Sequence, residues 1–298
     1  MNIFKYYQKY RFVILFLALV AIIAGCGLSD DSTSAGVGTG GTGSLAKSIS
    51  GNVADGYLVN ATVFLDKNGN YQLDAGEPFT TTDENGAYTL NIDPADVGKY
   101  PIVALAVKGV TIDKDTNQAV ANSFVLSMPK DSVNGTVSNN FISPLTSQLR
   151  EMLETGKYAT LPQATDALRT KMGLPAGTDV LADYMAVNNA NNTTLHAAAQ
   201  NIATLMGNQM GQVLGASGST VTVDVNRYRG MMGTIFSNMS SVRGPNAQTG
   251  LSNLNSTMTT VLPTVPPTSV GQPYQNMSTA FRGVMGGVST ITGGMMGK

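Results

Sequence analysis

The sequence predicts an α+β protein in which a small antiparallel β-sandwich precedes an all-α domain. Between residues 48 and 135, short runs of β-branched and aromatic residues alternate with turn dipeptides, as strands with one buried face do. Beyond Val137 the apolar spacing changes to three and four residues, with helix-start and helix-stop residues in place. Inside the strand region, LDKNGNYQLDAGEP (Leu65 to Pro78) crowds oxygen-bearing side chains into one turn, in a chain of which only 12% is charged.

Residues 1–25 read as an export signal. Lys5, Lys9 and Arg11 form a positive start, Phe12 to Ala24 is an unbroken apolar run too short to span a bilayer comfortably, and small Ala24 and Gly25 precede Cys26. IAGC, Ile23 to Cys26, resembles the lipobox of bacterial lipoproteins. The resemblance implies a diacylglycerol on the Cys26 sulfur, cleavage just before it, and a membrane anchor through that lipid. An ordinary secretory signal with a chance cysteine is the other reading. Gly27, where many inner-membrane lipoproteins carry aspartate, leans by the same resemblance towards the outer membrane or cell surface.

Residues 26–47 are rich in Gly, Ser and Thr and cannot bury enough apolar surface to offset their ordering entropy, so they are expected to be a flexible tether. Without the three positive charges of residues 1–25, 15 Lys+Arg face 19 Asp+Glu, a mildly acidic balance with no basic stripe for nucleic acid. A single cysteine excludes an intrachain disulfide, a Cys-x-x-Cys redox pair and a four-cysteine iron–sulfur cluster. His196, the one histidine, rules out multi-histidine zinc and copper sites. Its setting, NNTTLHAAAQNIATLM, reads as a helix with Leu195, Ala199, Ile202 and Met206 on the apolar face, which makes His196 a partly exposed structural residue.

The strands come next. ISGNVADGYLVNATVFLD gives two short runs around ADGY, Asn85-Gly86 turns the chain into a strand at Ala87 to Ile92, and YPIVALAVKGVTID supplies another pair. In the loop, with Asp66 as position 1, Asn68, Asn70, Gln72, Asp74 and Glu77 fall at positions 3, 5, 7, 9 and 12, the ligand spacing of a twelve-residue calcium loop. A hard cation needs alternate residues turned inward, a backbone carbonyl at the seventh place and a long carboxylate reaching back from the twelfth. Three anionic side chains suit weak binding, with Kd around 10⁻⁴–10⁻³ M. Position 6 is Tyr71 where glycine is expected, so the turn falls on Gly69 and Asn70 or strains Tyr71. An Asx-rich turn that binds nothing is the alternative. LDKNGNYQLDAGEPFTTTDENGAYTL resembles the B-type domains of serine-aspartate-repeat adhesins and the related carboxypeptidase-regulatory-like, or prealbumin-like, modules. That resemblance covers residues 48–125 and implies a calcium-binding sandwich that serves as a spacer or adhesive stalk, with ligands at Asp66, Asn68, Asn70, Asp74 and Glu77.

Residues 139–298 read as a methionine-rich helical domain. Ser143 caps a helix with Pro144 at its first position, apolar Leu145, Leu149, Met152 and Leu153, and a stop at Gly156; a second runs from Pro162 to Met172 with Gly173 after it, and the longest from Ala190 to Leu214. Helical spacing continues through Met231, Ile235, Met239 and Val242, through Leu251, Leu254, Met258 and Val261, and through Tyr274, Met277, Phe281, Val284 and Val288. The methionines, Met206 and Met210 among them, read as core packing in preference to copper(I) ligands, because they follow the apolar stripes. Arg229 and Arg282 read as solvent-exposed. No phosphate loop, dinucleotide fingerprint or catalytic residue stands out. The expectation is a non-enzymatic, lipid-anchored binding or scaffolding protein of the cell envelope with a structural calcium site, an adhesion or envelope-assembly role, and a protein or polysaccharide partner. The alternative is an accessory subunit or a carboxylate-based hydrolase.

Overall fold

Strand alternation is visible in the burial of the chain. The structure, a computed structural model, describes residues 47–135, 140–186, 190–214 and 223–267. Cys26, the tether up to residue 46, the Tyr274 to Val288 stripe and Arg282 lie outside them. In β5 (Ala87–Ile92), Tyr88, Leu90 and Ile92 are buried while Thr89 and Asn91 face water. It pairs antiparallel with β1 (Lys47–Asn52), Ile49 opposite Leu90. A second antiparallel sheet runs in the order β4 (Phe79–Thr81), β3 (Thr62–Leu65), β6 (Ile102–Ala106) and β9 (Phe124–Met128). A third joins β2 (Leu58–Val59), β7 (Ile112–Asp113) and β8 (Gln118–Ala119). With helices in the C-terminal part, the chain is α+β.

The helices start and stop for local reasons. In α1 (Pro144–Glu154) the Ser143 hydroxyl accepts from the Thr146 amide while the Thr146 hydroxyl accepts from the Ser143 amide, a reciprocal cap with proline at the first position. Thr160 caps α2 (Leu161–Met172), which ends on Gly173 at φ 64°, a left-handed conformation glycine adopts without strain. Then come α3 (Ala190–Val213), α4 (Val225–Ser237) capped by Asp224, α5 (Met239–Val242) and α6 (Gln248–Val261). The helical run expected through Met231, Ile235, Met239 and Val242 is broken at Asn238. Its side-chain amide donates to the Thr234 carbonyl, offering the backbone an alternative to the helical ladder.

Helix α1 lies along β9 and closes that edge of the sheet. The Ser127 amide donates to Ser147 Oγ at 2.8 Å, and the Thr146 hydroxyl donates to the Ser127 carbonyl at 2.8 Å, so an edge that would invite pairing with another chain is satisfied by a helix. The segment before α1 runs beside β1: the Asn140 amide donates to Ser50 O, the Ile142 amide to Asn52 O, and the Ala54 amide to Ile142 O. Gly51 permits this approach, because a Cβ there would stand 2.0 Å from the Asn140 carbonyl oxygen. The described strands and helices belong to one compact unit, Ser44–Lys298. They share a buried core that runs from Ile49, Leu65 and Ile102 through Leu145 and Leu149 to Ile202, Met206, Met210, Met231, Met232 and Met239. Among the described residues no helix is long and apolar enough to cross a membrane.

Candidate functional site

The oxygen-rich loop connects β3 to β4 and is wound about its own carboxylates. Asp66, at the end of β3, accepts from the backbone amides of Gly69 and Asn70 on Oδ1, at 2.9 and 3.0 Å, and from the Tyr71 amide on Oδ2 at 3.2 Å. Arg150 of α1 supplies a fourth donor, Nη2, to Oδ2 at 2.9 Å, and both side chains are fully buried. A carboxylate has about four lone-pair sites, so Asp66 is saturated from within the protein. Asp66 therefore frames the loop.

Tyr71 does what the expected glycine would do, and more. Its φ is 62°, in the left-handed region, which costs a non-glycine residue about 1–2 kcal/mol. In return its ring is buried, 3.8 Å from the Arg150 guanidinium carbon and 4.7 Å from the ring of Tyr228. A desolvated guanidinium over an aromatic face is attracted by about 2 kcal/mol, enough to offset the strain. The Tyr71 hydroxyl donates to Glu151 Oε1.

A chain of buried charge continues from there. Arg150 Nε donates to Glu154 Oε1 at 2.7 Å; Arg229 of α4 pairs through Nε with Glu151 at 3.0 Å and through Nη2 with Glu154. Arg229 is 3% exposed, which corrects the expectation that it faces solvent. Burial raises the Glu151 carboxyl above its ordinary value, against the pull of Arg229, with Glu154 pushing the same way as burial and Arg150 opposing. Burial likewise raises the Tyr71 hydroxyl. The Tyr228 hydroxyl donates to the Val125 carbonyl of β9 at 2.9 Å, joining the network to the sheet. Sequence reasoning did not find Arg150, Glu151, Glu154 or Arg229 as a group. The signal was there: three charges on an eleven-residue helix that otherwise presents buried residues.

The outer half of the loop is wound about Asp74 and Glu77. Asn68 and Asn70 both place their side-chain amides on Asp74 Oδ2 at 2.7 Å, and a half-turn of either amide would present its oxygen there instead. Glu77 reaches back across the loop, accepting from the Lys67 amide on Oε1 at 2.7 Å and the Asp74 amide on Oε2 at 2.9 Å. Burial raises the Glu77 carboxyl, the two amides lower it, and Asp66 and Asp74 raise it again. The Gln72 amide donates to Asn70 Oδ1 at 2.8 Å. Among the described residues no three carboxylate, imidazole or thiolate groups gather closely enough to hold a metal ion by themselves. With Asp66 already committed to four donors, the loop residues that could offer oxygen to a hard cation are Asn68, Asn70, Gln72, Asp74 and Glu77.

His196 projects from α3, partly exposed as expected. Its Nε2 lies 2.7 Å from Asp115 Oδ2, and its ring stacks on Tyr184 at 5.8 Å. Comparisons with protein-family models, with curated proteins and with solved structures find no match.

Proposed function

We propose that this chain is a lipid-anchored, exported binding or scaffolding protein of the cell envelope, built on a β-sandwich whose exposed loop takes up calcium weakly. One observation supports a structural over a catalytic job most directly. The charged groups best suited to chemistry, Asp66, Arg150, Glu151 and Arg229, neutralise one another out of reach of solvent. Removing such groups from water costs several kcal/mol per ion, and here that cost fixes the loop to two helices. The sandwich reading places β1 and β5 over the four-stranded sheet, with Ile49, Leu90 and Ile92 meeting Val63, Leu65 and Ile102 between them; all six are buried.

In this reading Asn68, Asn70, Asp74 and Glu77 hold the ion, which neutralises Asp74 and Glu77 and tightens the outer turn of a loop that Asp66 and Arg150 already hold. A ligand set with two carboxylates belongs at the weak end of calcium loops, with Kd of about 1 mM. Anchor, tether and envelope location rest on the Cys26 lipobox and the composition of residues 26–47. The test is thermal unfolding of the full chain in detergent, with chelator or with calcium. A rise in midpoint that is lost in Glu77→Gln supports the loop as a calcium site, and an unchanged wild-type midpoint removes it. Fractionation of Cys26→Ser reads the anchor separately: continued full partition into the membrane fraction would refute lipidation.

A further inference from the structure

A second acidic corner lies away from the calcium-type loop. Asp55 is 9% exposed, and its Oδ1 has no hydrogen-bond partner among the described residues. Facing it is the β7–β8 hairpin, in which Asp113-Lys114-Asp115-Thr116-Asn117 alternates oxygen-bearing side chains. Asp113 Oδ1 and Asp115 Oδ2 each stand 2.6 Å from where a Cβ of Gly56 would sit, so the glycine is what lets both carboxylates close on the chain beside Asp55. Burial raises the Asp55 carboxyl well above the usual range, and Asp113 and Asp115 push it further. Asp115 is served from α3 by His196 and by Gln200 Nε2 at 2.7 Å. Among the described residues no lysine or arginine pairs with Asp55, Asp113 or Asp115.

The rest of the protein shows what is missing. The two most buried carboxylates among the described residues, Asp66 and Glu151, each have a guanidinium, from Arg150 and Arg229, while Glu77 and Asp224, about as buried as Asp55, accept from backbone amides. At Asp55 two more carboxylates stand beside it, and its Oδ1 is given neither. A guanidinium suits this corner, because its five N–H donors spread over a planar fork that can bridge neighbouring carboxylates. Nearby, the Tyr57 hydroxyl donates to Asp183 Oδ2 at 2.9 Å, and the ring of His196, which meets Asp115, stacks on Tyr184.

The geometry points to the Asp55, Asp113 and Asp115 corner as a docking site for an arginine side chain presented by a protein partner. This rests on the binding role proposed above and names the chemistry of its partner. Asp113 and Asp115, less buried than Asp55, meet the guanidinium at the surface. Asp55 forms the inner wall and supplies the unpaired oxygen.

The test uses N-acetyl-arginine amide, the full chain in detergent, and the ring-proton resonance of His196, which has no other histidine to overlap it. A saturable shift at about millimolar probe is expected, the range of a few charge-assisted hydrogen bonds. Asp55→Asn, a neutral side chain of the same shape, should weaken binding at least ~10-fold while leaving the melting midpoint at pH 8 no lower than wild type, as for a group that burial disfavours. N-acetyl-lysine amide should bind less tightly. The inference is overturned if the arginine probe gives no saturable shift, if Asp55→Asn binds it equally well, if Asp55→Asn melts below wild type, or if calcium moves the resonance and arginine does not. Glu77→Gln should leave the shift intact, so this result and that of the loop are read separately.

Discussion

Breaking the Asp66–Arg150 pair should expose how much of the fold depends on a charge carried by a helix. Arg150→Met strands a carboxylate that is fully buried and retains only its three backbone donors, and Asp66→Asn leaves the guanidinium with Glu154 and the Tyr71 ring but without its buried partner. Removing one partner of a buried pair costs about 3–5 kcal/mol, and with neither side chain exposed there is no solvent screening to reduce it. The double variant removes both charges of the pair at once, so it should cost about 2–3 kcal/mol less than the sum of the singles. Urea unfolding of the full chain in detergent gives the three values, with chelator present so that calcium contributes nothing. Additivity within ~0.5 kcal/mol would refute the coupling, as would a single variant costing under about 1 kcal/mol.

Other perturbations probe neighbouring parts of the structure. Tyr71→Phe keeps the ring under Arg150 but leaves Glu151 short of a donor, and should cost about 1–3 kcal/mol by thermal unfolding. Tyr71→Gly relieves the left-handed backbone yet loses the ring, so it should be worse than Tyr71→Phe, the cost of a buried aromatic being about 3–5 kcal/mol. Gly51→Ala drives a methyl onto the Asn140 carbonyl and should lower the melting midpoint markedly, whereas Ala at Gly69 meets no atom and is limited by its φ of 76° alone. The Asp55 carboxyl is raised in the folded state, so its contribution is fully present below the unfolded value of about 3.9 and is lost as pH rises through the folded value. The groups facing it are Asp113, Asp115, Tyr184 and, through Asp115, His196. Melting midpoints across pH 4–8 should fall less steeply for Asp55→Asn than for wild type; parallel profiles would count against the raised carboxyl.

Local rules carried the reading wherever a local cause sets the structure. The caps at Ser143 and Gly173, the strand at Ala87 to Ile92 and the turn between Leu65 and Pro78 all follow from residues within a few positions of one another. What stayed hidden depends on distance along the chain. The neighbours of Arg229 in sequence suggest exposure because its partners, Glu151 and Glu154, lie more than seventy residues earlier. Tyr71 looked like a defect in a metal loop until Arg150 gave its ring something to hold. Asp113 and Asp115 carried a readable signal in their alternation, but only the fold brings them to Asp55.

The contacts that join strands to helices also set an order of assembly. Asp66 and Arg150 are 84 residues apart, Val125 and Tyr228 are 103 apart, and Ala54 and Tyr184 are 130 apart. Closing loops of that length comes late and slowly, since the entropy of closure precedes any gain from the contact. A chain that has emerged only as far as Gly135 holds every described strand and Asp66, but not the Arg150 that pairs with it.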